Sequence, residues 1–382
     1  MMRRSEVPFA AGYLTYYMAF GVFMPYWSAH LTHLGFAATS IGAVLAIFNT
    51  VRIGSPLVGG WLVDRARERK HVLVGGAVLA TLTAAWAGVA RSPVAIGVSI
   101  VLYSLAFTSI LPAFDAVVLD RLGANRSHYG RLRLWGSIGF VLIVLGLGAV
   151  IARLGDGVIP IALVGGHVLA VLAFLCLPKV GGHGPRDAAH GGFLRALADG
   201  PTRVLLFVAF LQITSFGAFN GFYTIFLRHY GYDDRLISLF WSIGVVSEIV
   251  LFWLSPRLLA RVALDRLLAV SIGLSVLRWA VMAAFPDSVW LNALAQVSHA
   301  ACFGLFQACT VMIAARFAPP GGAGRAQALL AAAGAGAGGI VGSLIAGYLY
   351  EHMGPPAAFF GGTVFALGAL LVIRWPSFVA RL

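Results

Sequence analysis

The chain alternates between long apolar stretches and short joints that carry most of its charge. A membrane-spanning helix needs about 20 predominantly apolar residues, and the stretches have roughly that length. In the first half they are Val7–Leu31, Thr39–Val63, His71–Ala90, Pro93–Leu119, Leu132–Ala152 and Gly157–Leu177. In the second half they are Thr202–Arg228, Leu236–Pro256, Leu264–Phe285, Ser288–Ala315, Ala326–Tyr350 and Pro355–Trp375. Their periodicity is not that of barrel strands, which alternate apolar and polar over about 10 residues; Val141–Ala152 shows no such alternation. Between the halves, PKVGGHGPRDAAHGGFLRALADGP is rich in Gly, Pro, His and charge and reads as a cytoplasmic linker. The expected fold is an all-α membrane protein of twelve transmembrane helices in two six-helix bundles, residues 1–178 and 202–382, joined by a linker at 179–201.

Composition agrees: 60% hydrophobic and 11% charged residues leave too little polar surface to cover a soluble globule. The net charge of +13 is unevenly spread. If the N-terminus is cytoplasmic, the inner joints and tails hold Arg3, Arg4, the Arg65–Lys70 cluster, Arg121, Arg126, Arg131, Lys179, Arg186, Arg195, Arg257, Arg261 and Arg266 among others. The outer joints hold only Arg91, Arg153, Arg228 and Arg235. The positive-inside rule then puts both termini in the cytoplasm. The positive charge marks topology and anionic headgroups of membrane lipid, not a nucleic-acid partner. Met1–Arg4 leads into a long apolar segment without a small-residue cleavage site, which reads as an uncleaved first span.

Little in the chain suggests enzymatic chemistry. No G-x-x-x-x-G-K-[ST] phosphate loop and no nucleophile–base pair can be read, so the expected energy source is an ion gradient, with no cofactor. Cys176, Cys302 and Cys309 fall inside spans at no metal-ligand spacing and are expected to pack, with no metal bound. His30 is expected near an interface and His167 as a hydrogen-bonded packing residue.

Charges inside spans are costly and mark function by default. They are Arg52, Asp115, Glu248 and Arg278, with Arg133 near the start of its span. Asp115 and Arg133 lie equally far from Ala124 at the middle of the connecting loop, so antiparallel helices bring them to one depth. The set carries one excess positive charge, which an anionic substrate would offset, and Tyr13, Tyr16, Phe20, Trp27, Trp135 and Trp241 can supply an apolar wall. This favours a small aromatic carboxylate, with a sugar or nucleoside as the alternative. The runs Gly59-Gly60 and Ala331–Gly342 allow close helix approach and the rocking that alternating access requires.

After the second span, Gly60-Trp61-Leu62-Val63-Asp64-Arg65-Ala66-Arg67-Glu68-Arg69-Lys70 resembles the gating-loop signature of the major facilitator superfamily, with Arg67 where a second glycine is usual and Glu68 where a base is usual. Pro112-Ala113-Phe114-Asp115 and Gly130-Arg131-Leu132-Arg133-Leu134-Trp135-Gly136-Ser137 resemble the lactose-permease branch. Tyr13–Trp27, Val51-Arg52, Trp241–Phe252 with Glu248 and Val276–Val281 with Arg278 are similar to its phenylpropionate-permease subgroup. The resemblance implies the major facilitator fold in a bacterial-type inner membrane, a protein acting as a monomer, and proton-coupled uptake of a small solute by alternating access. A drug-type proton antiporter is the other reading. The candidate substrate-binding residues are Asp115, Arg133, Arg52, Trp135, Ser137, Tyr16 and Trp27. Glu248, Arg278, His299 and Gln296 are the candidate proton-coupling residues, with Gly60, Asp64 and Arg65 in the gating loop. The tenth span departs from the sugar permease, with Gln296 in place of a lysine and Cys302 in place of a glutamate, which moves the expected proton carrier to Glu248.

Overall fold

Twelve apolar stretches become twelve helices. The structure, a computed structural model, describes residues 4–123, 128–179, 199–318, 322–375 and 378. The expected linker, apart from its ends, lies outside them. Among the described residues there is no strand, and twelve helices are long and apolar enough to cross a membrane. They are α1 (Val7–His33), α2 (Ala38–Arg65), α3 (Arg69–Val89), α4 (Pro93–Leu122), α5 (Tyr129–Leu154) and α6 (Val158–Leu175). The second half has α7 (Gly200–His229), α8 (Asp234–Arg261), α9 (Leu264–Ala284), α10 (Val289–Phe317), α11 (Gly324–Met353) and α12 (Pro355–Val372).

Most helices outrun their apolar stretch. Hydropathy stops at the first charge, whereas the backbone ladder continues until a cap or breaker intervenes. The plainest case is α8, expected to end at Pro256, which continues to Arg261 with the proline inside it; in a membrane, neighbouring groups compensate for the lost hydrogen bond. Starts are better marked. Ser92 accepts the N–H of Ala95 and Asp199 that of Thr202, each just ahead of a proline in the first turn.

Three helices are irregular. In α7, the stretches Gly200–Ser215 and Gly217–His229 meet at Phe216, whose N–H bonds to Ile213 three residues back. There Gly217 lies so close to the backbone of Gly342 that a Cβ would collide with it. In α10, Ala300–Leu305 is a π-helical turn directly after His299, and α11 has another at Ala332–Gly338, within the small-residue run. Such turns concentrate at functional sites.

The chain forms two compact units. The first comprises Met1–Phe36, Thr50–Ala188 and Asp233–Ser242; the second comprises Ala37–Asn49, Ala189–Tyr232 and Ile243–Leu382. Relative to the boundaries expected from the sequence, the units trade two segments, the opening residues of α2 and of α8. The physical reason is small side chains at each seat. In the second unit, Gly42 packs on the backbone of Ser343 and Gly347 on that of Ala38, Asn49 donates to the Ser343 hydroxyl at 3.2 Å, and Thr39 donates twice to Glu351, at 2.7 and 2.8 Å. In the first unit, Gly148 receives Ser238.

Within the first unit, α1 packs on α5 and α6, and α3 on α4 and α6. Two glycines of α5 set this geometry: a Cβ on Gly139 would run into the carbonyl oxygen of Leu14, and Gly136 leaves room for the ring of Tyr17. The second unit joins α9 to α12 and α7 to α11 and α12 around an apolar core that includes Leu205, Val208, Leu268, Ile272, Phe306 and Ile313.

Candidate functional site

Each unit holds one polar cluster inside an aromatic shell. In the first unit, Asp115 of α4 faces Arg133 of α5, whose Nη1 lies 3.2 and 3.1 Å from Oδ1 and Oδ2. The pair sits at one depth on antiparallel helices, as the spacing predicts. Tyr13 of α1 donates to Asp115 Oδ1 at 2.5 Å. Arg133 donates further to the hydroxyls of Tyr129, at 3.2 Å, and Tyr17, at 2.9 Å. The side chains of Arg133 and Asp115 retain 38% and 24% exposure, so the pair is open on one side.

Around it stands an aromatic ladder. Tyr16 stacks on Phe107 with centroids 4.6 Å apart and donates to its carbonyl at 3.4 Å. Tyr17 meets Phe20 edge-on at 6.0 Å, and Phe20 leans on Phe140 at 6.1 Å. Trp135 and Ser137 are half-buried on α5. Trp27 is fully buried against Phe23 and His30, in the packed interior of the unit. Arg52 is exposed and, among the described residues, forms no hydrogen bond or ion pair.

The second unit holds a connected line of side chains. Glu248 of α8 lies 3.3 Å from His299 Nε2, at ion-pair distance though without hydrogen-bond alignment. His299 Nδ1 is 2.7 Å from Nη1 of the buried Arg278 on α9. Nη2 of Arg278 donates to Gln296 Oε1 at 2.9 Å, and Gln296 donates to the Tyr223 hydroxyl at 2.7 Å. Because a guanidinium only donates, His299 Nδ1 must accept, and the neutral ring carries its hydrogen on Nε2, facing Glu248. The guanidinium lies over the rings of Phe219 (4.4 Å), Trp279 (4.5 Å) and Phe216 (5.9 Å), where cation–π attraction offsets part of its lost hydration. Glu248 reaches Arg278 through one imidazole, an arrangement in which charge at one end is felt at the other.

Gly60, Asp64 and Arg65, expected in a loop, belong to the last turns of α2, because the helical ladder runs on to Arg65; Asp64 is half-buried there and Arg65 lies over the Trp61 ring at 4.4 Å. Arg69, buried at the start of α3, forms an ion pair with Asp120 of α4, and His71 lies 3.6 Å from Glu68 beside it. A Cβ on Gly60 would meet nothing, whereas one on Gly59 would strike the backbone of Ser109, so close approach belongs to Gly59.

Several participants escaped sequence reasoning. Tyr17 and Tyr129 ligate Arg133, and Tyr223 accepts from Gln296. A signal was present: Tyr17 follows Tyr13 by four residues, and Tyr129 precedes Arg133 by four, the spacing that aligns side chains on one helix face. His30, expected at an interface, is instead buried with its ring packed on Trp27, and neither ring nitrogen has a hydrogen-bond partner among the described residues. His167 hydrogen-bonds Tyr103 at 3.2 Å. Cys302 and Cys309 are buried, Cys176 is exposed, and no group of His, Cys, Asp and Glu suited to a metal ion occurs among the described residues.

Comparison with known proteins places this geometry in a family. A model of the MFS_1 like family matches residues 8–360. A probable 3-phenylpropionic acid transporter of Escherichia coli is 30% identical over 368 residues, covering 93% of this chain and 93% of that protein. The maltose permease of Geobacillus stearothermophilus is 27% identical over 362 residues, with 94% and 92% covered. The crystal structure of the nucleoside transporter NupG superposes with a TM-score of 0.86 at 18% identity, covering 98% of this chain and 100% of that one, a likeness of fold.

Proposed function

Because the chain belongs to the MFS_1 like family and is a multi-pass membrane transporter of the major facilitator type, we propose that it carries a small aromatic carboxylate inward together with a proton. The observation that carries this reading is the division of labour between the two clusters. The first unit offers guanidinium groups beside an aromatic ladder and an opening, which suits a solute with one anionic end and an apolar body. The second offers a half-buried carboxylate joined to a fully buried guanidinium through an imidazole, which suits a proton. The 30% identity to a probable 3-phenylpropionic acid transporter supports the same solute class.

In the proposed cycle, the solute enters beside Asp115 and Arg133 and its ring lies along Tyr16, Tyr17 and Phe20. Glu248 takes the proton. Asp115 keeps Arg133 in place, with Tyr13 and Tyr129 completing the polar shell. His299 holds Nε2–H toward Glu248 as long as Arg278 donates to Nδ1; withdrawal of Arg278 frees that nitrogen and changes what Glu248 faces.

The test is uptake by cells or proteoliposomes carrying the chain, with a panel of aromatic acids, oligosaccharides and nucleosides. The expected result is accumulation of an aromatic acid with alkalinisation of the medium, abolished when the proton gradient is collapsed. Accumulation of a sugar or nucleoside instead would reassign the solute. The basic joints further support cytoplasmic termini in a bacterial-type inner membrane. Reporter fusions after Lys70 and Arg261 should report cytoplasm and those near Arg91 and Asp233 the opposite side; the reverse pattern would invert the topology.

A further inference from the structure

Arg52 lies near the middle of the 28-residue helix α2, with an exposed side chain that forms no hydrogen bond or ion pair among the described residues. A guanidinium at that depth is not tolerated against lipid and must face protein or a water-filled space. Its direction follows from the helix itself. At about 100° per residue, Gly59 stands about 20° from Arg52 around the axis and Ser55 about 60°. Both are buried against α4, Ser55 touching Thr108 and Gly59 the backbone of Ser109. Leu57 and Trp61, about 140° and 180° away, carry the exposed apolar surface, at 75% and 53%. Arg52 therefore points to the inner side of its unit, away from the lipid-facing surface, with an exposed side chain and the phenols of Tyr16 and Tyr17 within electrostatic reach.

Arg133 is differently placed. Its Nη1 is committed to Asp115 and Tyr129 and its Nη2 to Tyr17, so its charge is already matched by a carboxylate. Arg52 has a free planar fork, no counter-charge, and the Tyr16–Tyr17–Phe20 ladder beside it. A carboxylate on Arg52 would gain two parallel charge-assisted hydrogen bonds and cancel the unpaired charge, while an aryl group one or two carbons away lies against the phenol rings.

We infer that Arg52 is the anchor for the carboxylate of the solute, and that Arg133 shapes the cleft without binding that carboxylate. The inference rests on the aromatic-carboxylate reading proposed above. It also explains why two arginines serve a site with one acidic residue: the solute is the second acid.

The experiment is equilibrium binding of 3-phenylpropionate and its neutral amide to the purified full chain. The wild type should prefer the carboxylate. Arg52→Gln should lower carboxylate affinity roughly tenfold to a hundredfold, the worth of a charge-assisted hydrogen-bonded contact, down to the level of the amide, whose own binding is unchanged. Arg52→Lys, which keeps charge but loses the fork, should retain an intermediate preference. Arg133→Gln should weaken both probes together and keep their ratio. If Arg52→Gln leaves the ratio intact while Arg133→Gln erases it, the anchor is Arg133 and the inference is overturned, although the solute class stands. A wild type that binds neither probe, or does not distinguish them, overturns the aromatic-carboxylate reading and this inference with it.

Discussion

Glu248→Gln is expected to abolish accumulation of solute against its gradient while leaving exchange of solute across the membrane largely intact. Glu248 is the only carboxylate well inside a second-half span. An unpaired charge in low dielectric costs several kcal/mol, so each time the carboxylate is separated from its positive partners it must hold a proton. Glutamine keeps the shape and imitates that protonated state permanently. The carrier can then reorient with solute bound on both sides but cannot exchange a proton in between. The measurement is paired: gradient-driven uptake and counterflow in the same proteoliposomes. A purely structural role for Glu248 predicts loss of both. Active uptake by the variant with alkalinisation of the medium would assign the proton elsewhere, with Asp115 the next candidate. His299 sharpens the test, because Arg278 fixes its tautomer from the Nδ1 side. His299→Gln is therefore expected to uncouple partially, since an amide can accept from Arg278 or face Glu248 but cannot do both with the span of an imidazole.

Arg133→Lys is expected to weaken binding of every solute analogue, charged or neutral, by roughly tenfold to a hundredfold. Lysine keeps the charge and can still meet Asp115, but one ammonium on a flexible stem cannot reproduce a planar group that ties Asp115, Tyr129 and Tyr17 together. With the tie broken, Tyr17 is free to swing and the ladder loses its edge. Binding should therefore be measured independently of transport, by titration in detergent, so that loss of translocation is not mistaken for loss of the site. Wild-type affinity in the variant would reduce the pair to a structural bridge.

The twelve spans could be read from the sequence because lipid imposes one requirement on every residue of a span, and hydropathy records it directly. Ends were less legible, as α8 shows: its charges and Pro256 look like a terminus in composition, while the backbone ladder runs past them. The intramembrane charges were legible for the same reason as the spans, since they violate the lipid rule one at a time. Their partners were not. Tyr13, Tyr17, Tyr129 and Tyr223 are ordinary interfacial or packing residues by composition; it is the close α1–α5 seam at Gly136 and Gly139 that brings Tyr17 onto Arg133 and Tyr13 onto Asp115, while Tyr129 reaches Arg133 along its own helix and Tyr223 meets Gln296 in the second unit. The exchange of the opening segments of α2 and α8 was illegible too, since hydropathy marks no break between those segments and the rest of either helix, and the seats at Gly42, Gly148 and Gly347 decide which unit receives them.

The wide turn at Ala332–Gly338 gives α11 slack. A π turn holds one residue more than an α-helix needs for the same stretch of axis, so the residues beyond it keep the bearing they would have in a helix one residue shorter. A residue can be lost inside that turn, tightening it to an ordinary one, and Gly342, Ser343 and Gly347 stay in their seats on Thr214, Gly42 and Ala38. The same loss a few positions later swings them about 100° around the axis and drives side chains into contacts that only glycine fits. Tolerance to length change in this helix is therefore confined to a single turn, set beside the segment that must stay in register.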